Sequence, residues 1–237
     1  MFGLSRPAKP RRDEAEKPFW ISFSDLMSGL MVLFLVAMTV ALLAITRQVS
    51  EGEQDKARRD KDIHALLQRV QREVVRDFPG VTVHGQTIDF GDQARFDTDS
   101  HRLSPDEARV LRRFVPRVLA LARDPLGEKW LKRVVVEGFA DTRGSYLHNL
   151  NLSLQRSERV LCVLLADGQG VAEPLSAPDR QLVRDIFLVG GSSYNEQRSS
   201  PEASRRIELK LEFLDVGEKR PSGPVMPLDG DTRCPMD

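Results

Sequence analysis

From Leu26 to Ile45 the chain runs for twenty residues without a charged side chain, and Asp25 stands at the edge of that stretch. As a helix, twenty apolar residues cross the roughly 30 Å hydrocarbon core of a bilayer. The wider apolar run, Phe19 to Thr46, has no polar face, which argues against a helix lying on a soluble core. A cleaved signal peptide has a shorter apolar core, roughly 7 to 15 residues, ending in a small-x-small site. Ala44-Ile45-Thr46 is a poor site of that kind. A transmembrane helix over 18–46 is the reading that remains. Arg6, Lys9, Arg11, Arg12 and Lys17 precede it. A short basic flank stays on the cytoplasmic side, so 1–17 reads as a cytoplasmic tail and the chain beyond the helix as periplasmic.

Asp25 is costly in such a helix, about 2.5 to 3.5 kcal/mol on insertion scales, so a functional role is its default reading. The bland alternative is a carboxylate snorkelling to the headgroups, since it lies only about 9 Å along the axis from Phe19. Ser22, Ser28, Gly29 and Val32 share its face at offsets near three, four and seven. Small residues on one face let another helix approach closely. Asp25 is therefore the candidate ion-relay residue, for protons or sodium. One helix makes no channel, so a partner membrane protein must complete the path.

The remaining sequence points to an α+β periplasmic domain. Lysines and arginines number 35, as do aspartates and glutamates, so no net charge invites nucleic acid. Cys162 and Cys234 are too few for a disulfide framework. Cys162, in an apolar helical run, reads as a packed core residue, and Cys234 lies in a Pro- and Gly-rich tail. Ile63, Leu66, Leu67, Val70, Val74 and Val75 recur at helical steps, making 47–79 a helical linker that ends at Pro79-Gly80. Such a stripe suits a stalk or short coiled coil between two copies, or equally a solvated single helix. Beyond it, Val81–His84 and Thr87–Phe90 read as strands about a turn at Gly85. Ser104-Pro105-Asp106-Glu107 starts a helix. Lys132–Phe139 reads as a strand, Leu152–Leu165 as a helix, and Ile186–Val189 and Ile207–Phe213 as strands. The order predicts helices on one face of a mixed sheet over 80–216. Val171–Arg184, with two prolines, reads as an inserted loop, and 217–237 as disordered.

Within that domain a spaced set of residues stands out. Gly138-Phe139-Ala140-Asp141 follows a strand, Asn149, Leu152, Ser153 and Arg156 follow in rhythm, and Arg205-Arg206-Ile207-Glu208 opens the last strand. Phe96-Asp97-Thr98-Asp99-Ser100 precedes the first helix. The set resembles the OmpA-like peptidoglycan-binding domain, whose pattern is Gly-x-Thr-Asp, Asn-x-x-Leu-Ser-x-x-Arg and Asn-Arg-Arg-Val-Glu. The resemblance covers about Val81 to Leu214. Diaminopimelate in peptidoglycan stem peptides carries an ammonium and a carboxylate. An aspartate suits the first, and an arginine can grip the second with two hydrogen bonds. The resemblance implies that Asp141 and Arg156 recognise diaminopimelate, with His148, Asn149 and Leu152 lining the pocket. A structural Asp–Arg salt bridge is the plain alternative. Ala140 stands where the family has Thr, and His148 where Tyr is common, which implies altered affinity. Arg206 reads as a residue that solvates a strand edge.

An in-membrane aspartate joined to an OmpA-like domain resembles MotB, the flagellar stator subunit. The string Trp20-Ile21-Ser22-Phe23-Ser24-Asp25-Leu26-Met27-Ser28-Gly29 is closer to the MotB-like subunits of Zorya anti-phage defence systems. That resemblance implies a proton as the ion relayed by Asp25, with no cofactor and no metal. It also implies two copies of this chain within five copies of a MotA-like (ZorA-like) partner. The alternatives are a flagellar stator subunit and a passive wall anchor, for which Asp25 has no use. Peptidoglycan hydrolysis by Glu137 and Asp141 is disfavoured, because the family is non-catalytic. The chain is not expected to be an enzyme.

Overall fold

The structure is a computed structural model that describes residues 13–167, 172–220 and 234. They fall into two compact units, Met1–Lys56 and Ala57–Asp237. The first is the N-terminal part of helix α1 (Asp13–Asp77). One helix therefore runs through what the sequence divides at residue 46. Its most apolar 18-residue window has a mean hydropathy of 2.6, long and apolar enough to cross a membrane. From Trp20 to Lys56 every side chain is exposed. The hydroxyls of Ser28, Thr39 and Thr46 donate back to the carbonyls of Ser24, Leu35 and Leu42 at 2.7 to 2.8 Å. Polar groups closed onto their own helix are tolerated in lipid. Of the expected cytoplasmic tail, residues 1–12 lie outside the described residues.

The second unit is built on a five-stranded sheet ordered β1-β2-β5-β3-β4. Its strands are β1 (Thr82–His84), β2 (Thr87–Asp89), β3 (Leu131–Gly138), β4 (Phe187–Gly191) and β5 (Ile207–Phe213). Strand β3 runs parallel to β4 and antiparallel to β5, so the sheet is mixed as expected. Alternation sets its faces. Val134 and Val136 of β3 and Ile207, Leu209 and Leu211 of β5 are buried in the core, while Lys210 is exposed and Arg133 pairs with Glu212 at 2.5 Å. Four further helices belong to this unit: α2 (Pro105–Arg123), α3 (Pro125–Trp130), α4 (Tyr146–Leu165) and α5 (Ala177–Ile186), with a short α6 (Pro201–Ser204) before β5. The expected start of α2 is a full capping box: Ser104 Oγ accepts from the Glu107 N–H, and the Glu107 carboxylate accepts from the Ser104 N–H.

Three expectations are corrected. The stripe on the C-terminal part of α1 is not a stalk surface. Ile63, Leu66 and Val70 are 6%, 1% and 6% exposed, and Leu66 and Val70 join the domain's own core. Around them Arg59 donates to the Leu214 carbonyl at 2.6 Å, Arg69 pairs with Asp124 at 2.6 Å, and Trp130 Nε1 donates to Asp62 at 3.0 Å. The apolar stripe is thus spent within one chain, not between two; the side chains of Val74 and Val75 lie outside the described set. The segment Val171–Arg184 is not all loop either. Ser176 caps α5 and a proline sits in its first turn, which is a helix start signal. Finally, Cys162 is not a plain core residue: it is half-buried and bonded to Cys234 across 72 residues of sequence. The rest of the tail expected to be disordered, 221–233 and 235–237, lies outside the described residues.

Because Leu66 is fully buried, Leu66→Ala removes packed volume from the domain core. We expect a loss of about 3 kcal/mol, read as a lowered midpoint in denaturant unfolding of the detergent-solubilised chain. An unchanged midpoint would return this stripe to the linker reading.

Candidate functional site

Two glycines bring α4 down onto the sheet. Gly138 and Gly191 are register partners at the ends of β3 and β4. A Cβ on Gly138 would lie 2.0 Å from the Ser153 carbonyl oxygen, and one on Gly191 would lie 2.7 Å from the Ser153 hydroxyl. Only glycine lets the helix backbone approach this closely. Ser153 Oγ in turn accepts from the Ser193 N–H at 3.0 Å, and Ala140 N donates to the Ser193 carbonyl at 2.7 Å. The strand end that carries Asp141 and the helix that carries Arg156 are fixed together in this way.

Asp141, Asn149, Leu152 and Arg156 are 5%, 1%, 7% and 0% exposed, and with His148 they line one pocket of about 230 Å³. All five pocket residues expected from the sequence are therefore brought together. Thr98, Asp99, Arg143, Gly144 and Arg205 complete the lining, and the sequence reading did not single them out for it. Leu152 is the one apolar side chain in this wall.

Arg156 and Asp141 do not pair with each other among the described residues, so the pocket is not a simple salt bridge. The Arg156 guanidinium donates to three main-chain carbonyls: Phe139 at 2.7 Å, Ser100 at 2.9 Å and Asp97 at 3.0 Å. It also lies over the Phe96 ring, 5.0 Å from the centroid. Burial, reinforced by the nearby charge of Arg205, lowers its pKa to about 10 against the pull of Asp141 and Asp99, so it remains a cation at neutral pH. Asp141 is met instead by Arg143 at 2.6 Å and Arg205 at 2.9 Å. Burial pushes its pKa up, but hydrogen bonds from Arg143, then Arg205, outweigh that and hold it at about 2.

The other two expected residues hold the loops around the pocket. Asn149 Nδ2 donates to the Arg143 carbonyl at 2.8 Å and so braces the loop after Asp141. His148 Nε2 lies 2.7 Å from Asp99 Oδ1, and Asp99 holds a left-handed backbone with φ 53°. Arg206 corrects the edge reading. It is 2% exposed, stacks 4.0 Å over the Phe139 ring and pairs with Glu208 at 2.6 Å. It braces the strand end through Phe139 and Glu208. The pair Arg205-Arg206 was visible in the sequence, but which arginine turns into the pocket depends on how α6 hands the chain to β5.

In the first unit, Asp25 lies in an open groove along the helix with Trp20, Ile21, Ser24 and Ser28. Ser28 is thus beside it as the helical spacing requires, while Ser22, Gly29 and Val32 are not part of the groove. Unlike the hydroxyls of Ser28, Thr39 and Thr46, Asp25 makes no hydrogen bond or ion pair among the described residues.

The depressed pKa of Asp141 sets an acid limit on the domain. Its folded value, about 2, lies below the ordinary carboxylate value of about 3.9, so its contribution is full above about pH 4 and is lost as pH falls through 2. The contribution is on the order of 2 kcal/mol. Asp141→Asn is expected to lower stability at pH 7 and to flatten the loss between pH 4 and 2, measured by denaturant titration at each pH. An identical acid limb in both proteins would contradict the assignment.

No family model matches the chain. The Zorya protein ZorB of Escherichia coli is 44% identical over 223 residues, 93% of this chain and 91% of the relative. Among solved structures, the OmpA-like domain of FopA1 from Francisella tularensis covers 57% of this chain and 82% of its own length, at 17% identity and a TM-score of 0.36. The periplasmic domain of Helicobacter pylori MotB covers 58% and 90%, at 13% identity and a TM-score of 0.40. The cell wall anchor of the T6SS from Pseudomonas aeruginosa covers 62% and 96%, at 20% identity and a TM-score of 0.38. The sequence match spans both the apolar helix and the pocket-bearing domain, and on it the chain belongs to the ZorB family of Zorya proteins.

Proposed function

We propose that this chain is the peptidoglycan-anchored, stator-like subunit of a proton-driven motor in the bacterial inner membrane, acting in anti-phage defence. The observation that carries the reading is one chain holding two unlike sites. A carboxylate with no partner among the described residues sits on an exposed apolar helix, and a separate pocket sets two buried arginines around a buried aspartate. In the pocket, Arg156 and Arg205 suit the carboxylate of diaminopimelate, and Asp141 suits its ammonium. His148, Asn149 and Leu152 shape the wall around them. In the membrane, Asp25 takes up and releases a proton, and each proton crossing draws roughly 2.3 kcal/mol per 100 mV.

The chain lies with its N-terminus in the cytoplasm and its domain in the periplasm. The basic flank before the helix supports this, as does the Cys162–Cys234 bond, since disulfides persist in oxidising compartments. A second copy and a MotA-like membrane subunit, five for every two of this chain, enclose Asp25 and complete the proton path. The wall anchor holds the carboxylate still while the partner moves against it. No catalytic step and no nucleic acid enter this reading, and membership of the ZorB family favours defence over a flagellar role.

Asp25→Asn is expected to assemble with its partner at the wild-type level and to abolish phage protection; full protection by that variant would sink the motor. Arg156→Ala is expected to abolish retention on purified peptidoglycan sacculi at physiological salt. Retention equal to the unaltered chain would refute the pocket.

A further inference from the structure

Three arginines, Arg143, Arg156 and Arg205, line the pocket with Asp99 and Asp141, and Glu202 lies just outside, 3.6 Å from Arg205. The three arginines are not equivalent. Arg156 is tied to three carbonyls, and Arg205 donates to the Phe96 carbonyl at 2.9 Å as well as to Asp141. Neither can leave without unpicking buried main chain. Arg143 is different, because its side chain is 56% exposed. Its guanidinium bonds only Asp141 Oδ2, at 2.6 and 3.1 Å, and Thr98 Oγ1, at 3.0 Å, among the described residues. Its backbone is held independently, through its N–H to Asp141 Oδ1 at 3.0 Å and its carbonyl to Asn149. The side chain can swing out while the loop stays.

We propose that the Arg143 guanidinium is a built-in occupant of Asp141 that a ligand's ammonium must displace, so that Arg143 lowers affinity for stem peptides with a free amine and leaves acylated ones unaffected. The inference rests on the peptidoglycan reading of this pocket. Asp141 already accepts four N–H bonds, three on Oδ2 from the Arg143 and Arg205 guanidinia and one on Oδ1 from the Arg143 main chain, which fill the roughly four acceptor sites of a carboxylate, so an ammonium enters as the Arg143 side chain withdraws. With Arg143 withdrawn, Arg156 and Arg205 remain in the wall for the carboxylate of a zwitterionic ligand, and Asp141 is open to its ammonium. An ammonium replaces one cation on Asp141 by another. An acylated amine, as in a cross-linked stem, has no charge to offer in exchange and leaves Arg143 in place.

The test is calorimetric titration of the full chain in detergent with two probes: a diaminopimelate-containing muropeptide with a free side-chain amine, and the same muropeptide N-acetylated. Removing the competitor by Arg143→Gln should tighten free-amine binding about three- to fivefold, the worth of one half-exposed ion pair, and leave the acetylated probe unchanged. Arg143→Lys, which keeps a cation over Asp141, should restore the ratio of the unaltered chain. A ratio unmoved by Arg143→Gln, or weaker free-amine binding in that variant, overturns the displacement role while leaving the pocket reading intact. Failure of the unaltered chain to bind either probe overturns both.

Discussion

The pocket end of the domain depends on one buried cation. Placing a guanidinium at 0% exposure is costly unless its N–H groups are met, and here three carbonyls from two separate loops meet it. Those carbonyls belong to the strand end at Phe139 and to the loop through Asp97 and Ser100. Arg156 therefore does structural work before it meets any ligand: it gathers the segments whose side chains make the walls. The close descent of α4 over Gly138 and Gly191 makes this reach possible. A larger residue at either position would lift the helix and pull Arg156 from its carbonyls.

Much of this was legible in the sequence, for reasons of local chemistry. Ser104 with Glu107 reads directly as a capping box, and the alternation of β3 and β5 reads as one buried face. The five expected pocket residues fall together because strand end and helix are joined by a short loop. The misses share a different cause. Leu66 and Val70 carry helical periodicity, but periodicity does not say whether the buried face meets its own domain or a second copy. Pro174 and Pro178 suggested a loop, although a proline just after Ser176 marks the first turn of a helix. Cys234 could not be paired from spacing, since its partner lies 72 residues away on α4. Arg143 and Arg205 were missed because their role depends on where Asp141 points, which only the tertiary arrangement decides.

The two sites obey opposite electrostatic rules. In the pocket every charge is closely partnered, and Asp141 is ionised down to about pH 2. On the apolar helix Asp25 stands beside Ser28, whose hydroxyl has closed onto the helix backbone, with no partner of its own among the described residues. A domain fixed by paired charges suits grip, and a carboxylate awaiting enclosure suits ion exchange. Their union on one chain of the ZorB family is what the proposed role, a wall anchor within an ion-driven machine, calls for.

On the proposed reading, the pocket recognises a zwitterion and not merely a cationic or polar polymer. The most direct measurement is retention of the full chain on purified sacculi whose stem peptides carry diaminopimelate, compared with sacculi that carry lysine at the same position. Lysine keeps the ammonium and lacks the neighbouring carboxylate. Strong retention on the first and loss on the second are expected, because on the second Arg156 and Arg205 would face no anion. Equal retention on both would contradict it.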